Sequence, residues 1–263
     1  MPQLKYGNSV KVTTAKLRDL LEKRQRDAGR WALGLTAYKV AKYFIFGVIG
    51  WSTFEAREAQ SKLKYLKRIE TIPQHRWPRA VLDMMSIVGI RTKMWQRTQL
   101  LAQIYNCGRL EVVYSPSGQP CLNIYNSQVK KRVRETLEND WRQGMILKSS
   151  LDVYRRGKRS LGVQSFLYGN RRGDVLLALA RAGLLPTKSH RKYEDPQQDR
   201  TCGKCGIYEE TVRHVIFECN DAYYTDEDLL SRLGLQEEIK DPSLGQKTKV
   251  ILETWEKETN DLL

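Results

Sequence analysis

Apolar residues recur at helical spacing along most of this 263-residue chain. Over residues 14–33, Leu17, Leu20, Leu21, Ala28 and Trp31 mark one face. Thr13 or Thr14 can cap the start, and Gly34 stands where a left-handed C-cap belongs. The other face carries Lys16, Lys23, Arg24 and Arg26. The most apolar stretch, 43–51, is about half the length of a membrane-spanning helix and holds two glycines, so it is expected to be a buried turn or strand. Ser52-x-x-Glu55 then reads as a capping box. It opens a second helix through Ala59, Leu63, Leu66 and Ile69, with Lys62, Lys64, Lys67 and Arg68 outside. Pro78 opens a third helix (Val81, Leu82, Met85, Val88), ended by Gly89, and a fourth covers about 93–105.

The texture then changes. Two runs of strand-forming residues, 110–114 and 121–125, flank Ser-Pro-Ser-Gly and predict one β-hairpin. A long helix follows over about 127–144, with Val129, Val133, Leu137 and Trp141 four apart. Leu151 and Tyr154 mark another apolar segment. Asp174 starts a short helix through Ala182, closed by Gly183 and Pro186. Residues 189–200 are polar and helix-poor, as a linker would be. Two acidic helical stretches, about 226–233 and 247–262, complete a mainly α chain without internal repeats.

Between linker and tail lies the strongest chemical signal: Cys202, Cys205, His214 and Cys219, in the order C-x2-C-x8-H-x4-C. Thiolates and a neutral imidazole are preferred ligands of Zn²⁺, and a Cys-x-x-Cys pair can hold a metal from one tight turn, here eased by Gly203 and Gly206. Residues 211–219 read as a short helix presenting His214 and Cys219 from the other side. One structural Zn²⁺ is the expectation. The alternative is a redox pair, closed as a Cys202–Cys205 disulfide. Cys107 and Cys121 are left over, which fits a reducing cytoplasmic or nuclear compartment better than a disulfide framework.

Charge adds a partner. The formal net charge is +15, but residues 1–200 hold 38 Lys+Arg against 16 Asp+Glu, hence +22, whereas 201–263 carry −7. A basic body with an acidic tail suits a polyanion, because cations meeting phosphates release condensed counterions. Candidate nucleic-acid contacts are Lys130, Lys131, Arg132 and Arg134 on the long helix, the cluster Arg155, Arg156, Lys158 and Arg159, and Arg171, Arg172 and Arg181. No helix carries a compact Arg/Asn/Gln reading set, so RNA or single strands are favoured over sequence-read duplex DNA. The tryptophans mostly fall on apolar faces and are assigned to packing.

Catalytic signatures are sparse. His75 and His190 read as loop residues, no Gly-rich phosphate loop is followed by Lys-Ser/Thr, and no two aspartates are adjacent. Asp226, Glu227 and Asp228 could serve a nuclease, but a helix N-terminus attracts such a cluster on its own. No membrane anchor is readable.

Several segments together resemble a known family. Gln25-Arg26-x-x-Gly29-Arg30-x-Ala32-Leu33-Gly34, then Gly50-Trp51-Ser52-x-Phe54-Glu55-Ala56-Arg57, then Arg76-Trp77-x-Arg79, are similar to the region after the polymerase palm in non-LTR (LINE-type) retrotransposon reverse transcriptases. The string from Ala180 to Thr187 and the C-x2-C-x8-H-x4-C set resemble the C-terminal finger of those proteins. The resemblance implies a thumb-like helical region (1–106), a hairpin with a basic helical connector (107–188), a CCHC zinc knuckle (189–222) and an acidic helical tail (223–263). It implies binding of template RNA or target DNA. Nothing here corresponds to the fingers and palm with their Tyr/Phe-x-Asp-Asp box, so the chain is expected not to be an enzyme. A truncated copy or a domesticated host RNA-binding protein both fit that expectation. The competing reading is a zinc-dependent protein-interaction module.

Overall fold

In the computed structural model, residues 9–114, 120–124, 128–163, 171–191, 197, 199–220, 223–236 and 242–260 are described, and they are mainly helical. The chain divides into two compact units. The first comprises Met1–Lys23 and Ser52–Asp140, and the second comprises Arg24–Trp51 and Trp141–Leu263. Helices α1 (Ala15–Ala32) and α6 (Val129–Ile146) both carry the chain across the division.

The first unit is built on α3 (Phe54–Glu70), α4 (Trp77–Val88), α5 (Lys93–Ile104) and the hairpin of β1 (Gly108–Tyr114) with β2 (Pro120–Ile124). Ala56, Ala59, Leu63 and Leu66 of α3 pack with Leu82, Trp95, Leu101, Val129 and Val133. The strands pair antiparallel, Val112 opposite Leu122 and Tyr114 opposite Pro120, as the alternating runs predict. The hairpin's expected Ser-Pro-Ser-Gly turn, 115–118, lies outside the described residues.

Two readings change in this unit. The cap of α3 is Thr53 rather than Ser52, its hydroxyl accepting from Ala56 N at 3.1 Å. Glu22 of α1 adds a carboxylate that accepts from the Phe54 and Glu55 amides. Burial raises the Glu22 pKa, and those two amides oppose the shift. Lys62, expected outside, is fully buried, donating to the Lys11 carbonyl and facing Glu58. Glu58 also accepts from Arg97 at 2.9 Å, and Arg97 reaches Glu55 at 2.8 Å. Helical spacing placed Lys62 on a polar stripe of which Lys64 and Arg68 stay exposed, but Lys62 turns inward to Glu58, the carboxylate that Arg97 of α5 also binds.

The second unit gathers α2 (Lys42–Ile49), α7 (Asp152–Gly157), α8 (Arg172–Arg181), α9 (Lys188–Arg191), α10 (Val212–Ile216), α11 (Asp226–Arg232) and α12 (Pro242–Asn260). Phe44, Ile45 and Val48 of α2 share one core with Trp141, Tyr154, Leu176, Ile216, Leu229 and Leu252. Here the expected turn or strand over 43–51 is corrected to a helix. Six consecutive residues of α2 are buried, so no polar face reveals its period, and Gly50 ends it at φ 68°. α12 packs along α8, α10 and α11, with Leu252 buried in the shared core.

α1 buries a different face from the one its leucines mark. Gln25 and Gly29 are buried, while Leu17, Leu20 and Trp31 are exposed. At Gly29 a Cβ would come within 2.5 Å of the Ile45 side chain, so glycine permits the α1–α2 approach. The assignment of the tryptophans to packing holds for Trp95 and Trp141, but Trp31 and Trp77 stand in solvent. Among the described residues no helix is long and apolar enough to cross a membrane.

Candidate metal centre

Two short pieces of backbone build the site. The first is a turn: Thr201 bridges to Glu209, Cys202 N donates to the Tyr208 carbonyl at 2.8 Å, and Gly206 N donates to the Cys202 carbonyl at 2.9 Å. Gly206 takes φ 64°, a conformation a side chain disfavours. Cys202 and Cys205 thus project from one knuckle. The second piece is α10, capped by Thr211, whose hydroxyl accepts from His214 N at 3.1 Å. Past its end, Glu218 and Cys219 adopt positive φ, 50° and 70°, which carries Cys219 back toward the knuckle.

The four ligand atoms lie within 4.8 Å of one another, with Cys202 Sγ 3.9 Å from Cys219 Sγ and Cys205 Sγ 3.4 Å from His214 Nε2. This group can hold one metal ion. His214 is 1% exposed and Cys202 6%, whereas Cys205 and Cys219 are half-buried, so the group is covered on one side only. The surrounding backbone favours negative charge at one sulfur: amides of Tyr208 and Ile207 point at Cys205 and hold its thiol down at about 6. Burial, reinforced by the neighbouring sulfurs, pushes Cys219 up to about 12. A cation among them removes that conflict by stabilising every thiolate at once. The site is anchored from behind by Glu210, 4% exposed, which accepts from Lys188 N at 3.0 Å, while Lys188 Nζ donates to the Thr201 carbonyl at 2.8 Å. Sequence spacing marked the ligands but carried no signal for this brace, which joins residues brought together only by the turn.

A cleft of about 650 Å³ opens beside the metal group, with Val215, Ile251 and Trp255 on its walls and Lys188, Arg191 and Lys204 at its edge. Glu210, Glu218 and Glu258 line it as well, so its charges nearly balance.

The candidate nucleic-acid residues fare unevenly. Lys130, Lys131 and Arg134 are exposed on α6, with Lys131 and Arg134 paired to Glu135 and Glu138 one turn on. Arg132 donates to the Asn106 carbonyl at 2.7 Å. Arg155, Arg156 and Arg159 are exposed, but Arg155 pairs with Asp152 and Arg156 with Asp226. Arg171 is exposed at the cap of α8, and Arg172 pairs with Glu256. Two assignments are corrected. Lys158 is 5% exposed and Arg181 0%, the latter donating to the Gly234 carbonyl within the core, so neither presents its charge to a partner. Lys158 is the C-cap of α7 and Arg181 the last residue of α8, and basic residues near a helix C-terminus can turn inward onto carbonyls.

Against known proteins, the chain matches no family model, no curated protein and no solved structure at a significant level.

Proposed function

We propose that this chain is a zinc-stabilised nucleic-acid-binding protein, with RNA or single-stranded DNA as its partner and no catalytic turnover of its own. The observation that carries the reading is the pairing of a half-buried three-thiolate, one-imidazole group with a body of charge +22 over residues 1–200. Tetrahedral Zn²⁺, with bonds of about 2.3 Å to sulfur and 2.0 Å to nitrogen, sets sulfur–sulfur edges near 3.8 Å and sulfur–nitrogen edges near 3.5 Å. Two of the six separations, 3.9 Å and 3.4 Å, fit those edges, and all six lie within 4.8 Å. Four protein ligands leave no coordination position for a substrate, which makes the ion a structural one.

The exposed cations of α6 are the best candidates to meet phosphates, because Lys131 and Arg134 pair only one turn on along the same helix, contacts worth little for exposed cations. The resemblance to the segment after the palm of LINE-type reverse transcriptases supports the same partner class. It also supports the absence of polymerisation, since the residues that hold catalytic metals in those enzymes have no counterpart here.

The test is binding at graded salt to structured RNA, single-stranded DNA and duplex DNA, with metal content measured on the same preparation. Binding should weaken steeply with salt, with a log–log slope of several units. Micromolar protein that binds none of the three at low salt overturns the reading. One observation favours the alternative of a protein-interaction module: Arg155, Arg156 and Arg172 already have carboxylate partners within the chain. That outcome would then move ahead.

A further inference from the structure

Trp31 lies at the C-terminal end of α1 and is 76% exposed. Its support is rigid. On the buried side of the same helix, Gly29 sits where a Cβ would meet Ile45 at 2.5 Å and Ile49 at 3.0 Å, and Leu33 and Leu35 are buried on either side of Gly34. The indole is therefore held outward by a packed helix instead of hanging from a loop. Its neighbours one turn back on α1 are Asp27 and Ala28, and two turns back is Arg24. Asp27 is engaged by Arg30 at 2.9 Å, whereas Arg24 is exposed, as is Lys39 in the segment after the helix. The exposed charge flanking the indole in sequence is thus cationic.

Trp77 makes the contrast. It is 79% exposed, but it heads a stripe of Met84, Ile87 and Val88, all more than half exposed, the kind of apolar surface another protein covers. Trp31 has no large apolar side chain within a turn of it on α1. A protein hot spot draws strength from a ring of contacts that excludes water, and α1 supplies no large apolar side chain for such a ring within a turn of Trp31. An unpaired base needs less: one exposed aromatic face, with cations a few ångströms farther on for the adjoining phosphates.

We infer that Trp31 is a stacking platform for an unpaired base of a bound single strand, with Arg24 meeting a neighbouring phosphate. This rests on the nucleic-acid reading above and adds to it a site and a preference for unpaired bases. Stacking and phosphate contact leave different marks on salt dependence, since only the second releases counterions.

The experiment compares the metal-loaded full chain with Trp31→Ala, Trp31→Phe and Arg24→Ala on an unstructured single-stranded RNA and on a duplex of the same length, across a salt series. Because Trp31 is exposed, thermal melting of the variants should match the parent. Trp31→Ala is expected to lose roughly 5- to 100-fold in affinity for the single strand. Its salt slope should stay as in the parent and its duplex affinity within about two-fold. Trp31→Phe should recover most of the loss, and Arg24→Ala should flatten the slope by about one unit. Single-strand affinity of Trp31→Ala within about two-fold of the parent overturns the inference, and so does an equal loss on single strand and duplex. In either case the general nucleic-acid reading survives. A parent chain that binds neither ligand overturns both.

Discussion

Arg156 donates to Asp226 at 2.6 Å, joining the basic cluster of α7 to the first residue of the acidic helix α11, and Asp226 also reaches Arg213 at 3.2 Å. One carboxylate thereby engages two guanidinium groups, which under the proposed function competes with a phosphate for them. Replacing it tests whether the acidic segment restrains binding. Asp226→Asn keeps a polar residue in the first turn of α11 and removes one carboxylate charge from each arginine, leaving Arg156 its contact with Asp152 at 3.4 Å. Affinity for RNA at low salt should rise about two- to five-fold, and the salt slope should steepen by about one unit. Unchanged affinity and slope would show that these arginines lie outside the binding surface.

The metal group should bind one equivalent of Zn²⁺ and release protons in doing so. Below about pH 12 the Cys219 thiol carries its proton in the metal-free fold, so loading at neutral pH must expel at least that one. Calorimetry in buffers of differing ionisation enthalpy measures the release. Affinity should fall as the solution is acidified, because protons then compete for the sulfurs. Cys205→Ser should lose the ion and melt the segment around α10. Less than about half an equivalent of zinc in protein purified without chelator would remove the metal from this account.

In the first unit, Arg97 stands between Glu55 and Glu58 with Lys62 beside them, and Glu58 is 4% exposed on its side chain. Arg97→Ala strips the main cation from a buried carboxylate, a change that costs about 3–5 kcal/mol. Arg97→Met combined with Glu58→Gln and Lys62→Met removes all three buried charges while keeping much of the volume, and should cost far less. Urea unfolding of the three proteins decides whether charge or packing dominates: equal losses in the single and triple variants would point to packing.

Arg181 and the α6 cations should separate cleanly. Replacing Lys130, Lys131 and Arg134 with Gln should flatten the salt slope by about two to three units with little change in melting temperature. Arg181 is fully buried, and desolvation pulls its pKa down to about 10. Arg181→Ala should therefore lower the melting temperature by several degrees while leaving the salt slope of the folded protein intact. A flatter slope from Arg181→Ala would restore it to the binding surface.

The sequence by itself determined the elements whose signals are local. Gly34, Gly89 and Gly183 fall at left-handed positions after their helices, the hairpin forms where alternation predicts it, and the four metal-site residues converge as their spacing requires. Each depends on a turn, a cap or a ligand pair within a few residues, so the physics is complete inside a short window. Tertiary structure decided what depends on partners far along the chain. Lys62 and Arg181 look like surface cations in any local window, and only the helices laid over them make them core. Trp31 and Leu20 mark a sound apolar stripe, yet α1 buries Gly29 instead, because the α2 side chains need a backbone they can approach closely. The long apolar run 43–51 became a helix because every side of it is covered, which erases the alternation that would have shown its period. The acidic tail, separable by charge alone, joins the second core because Leu229, Leu233 and Leu252 are buried there while Asp226 and Glu256 meet Arg156 and Arg172.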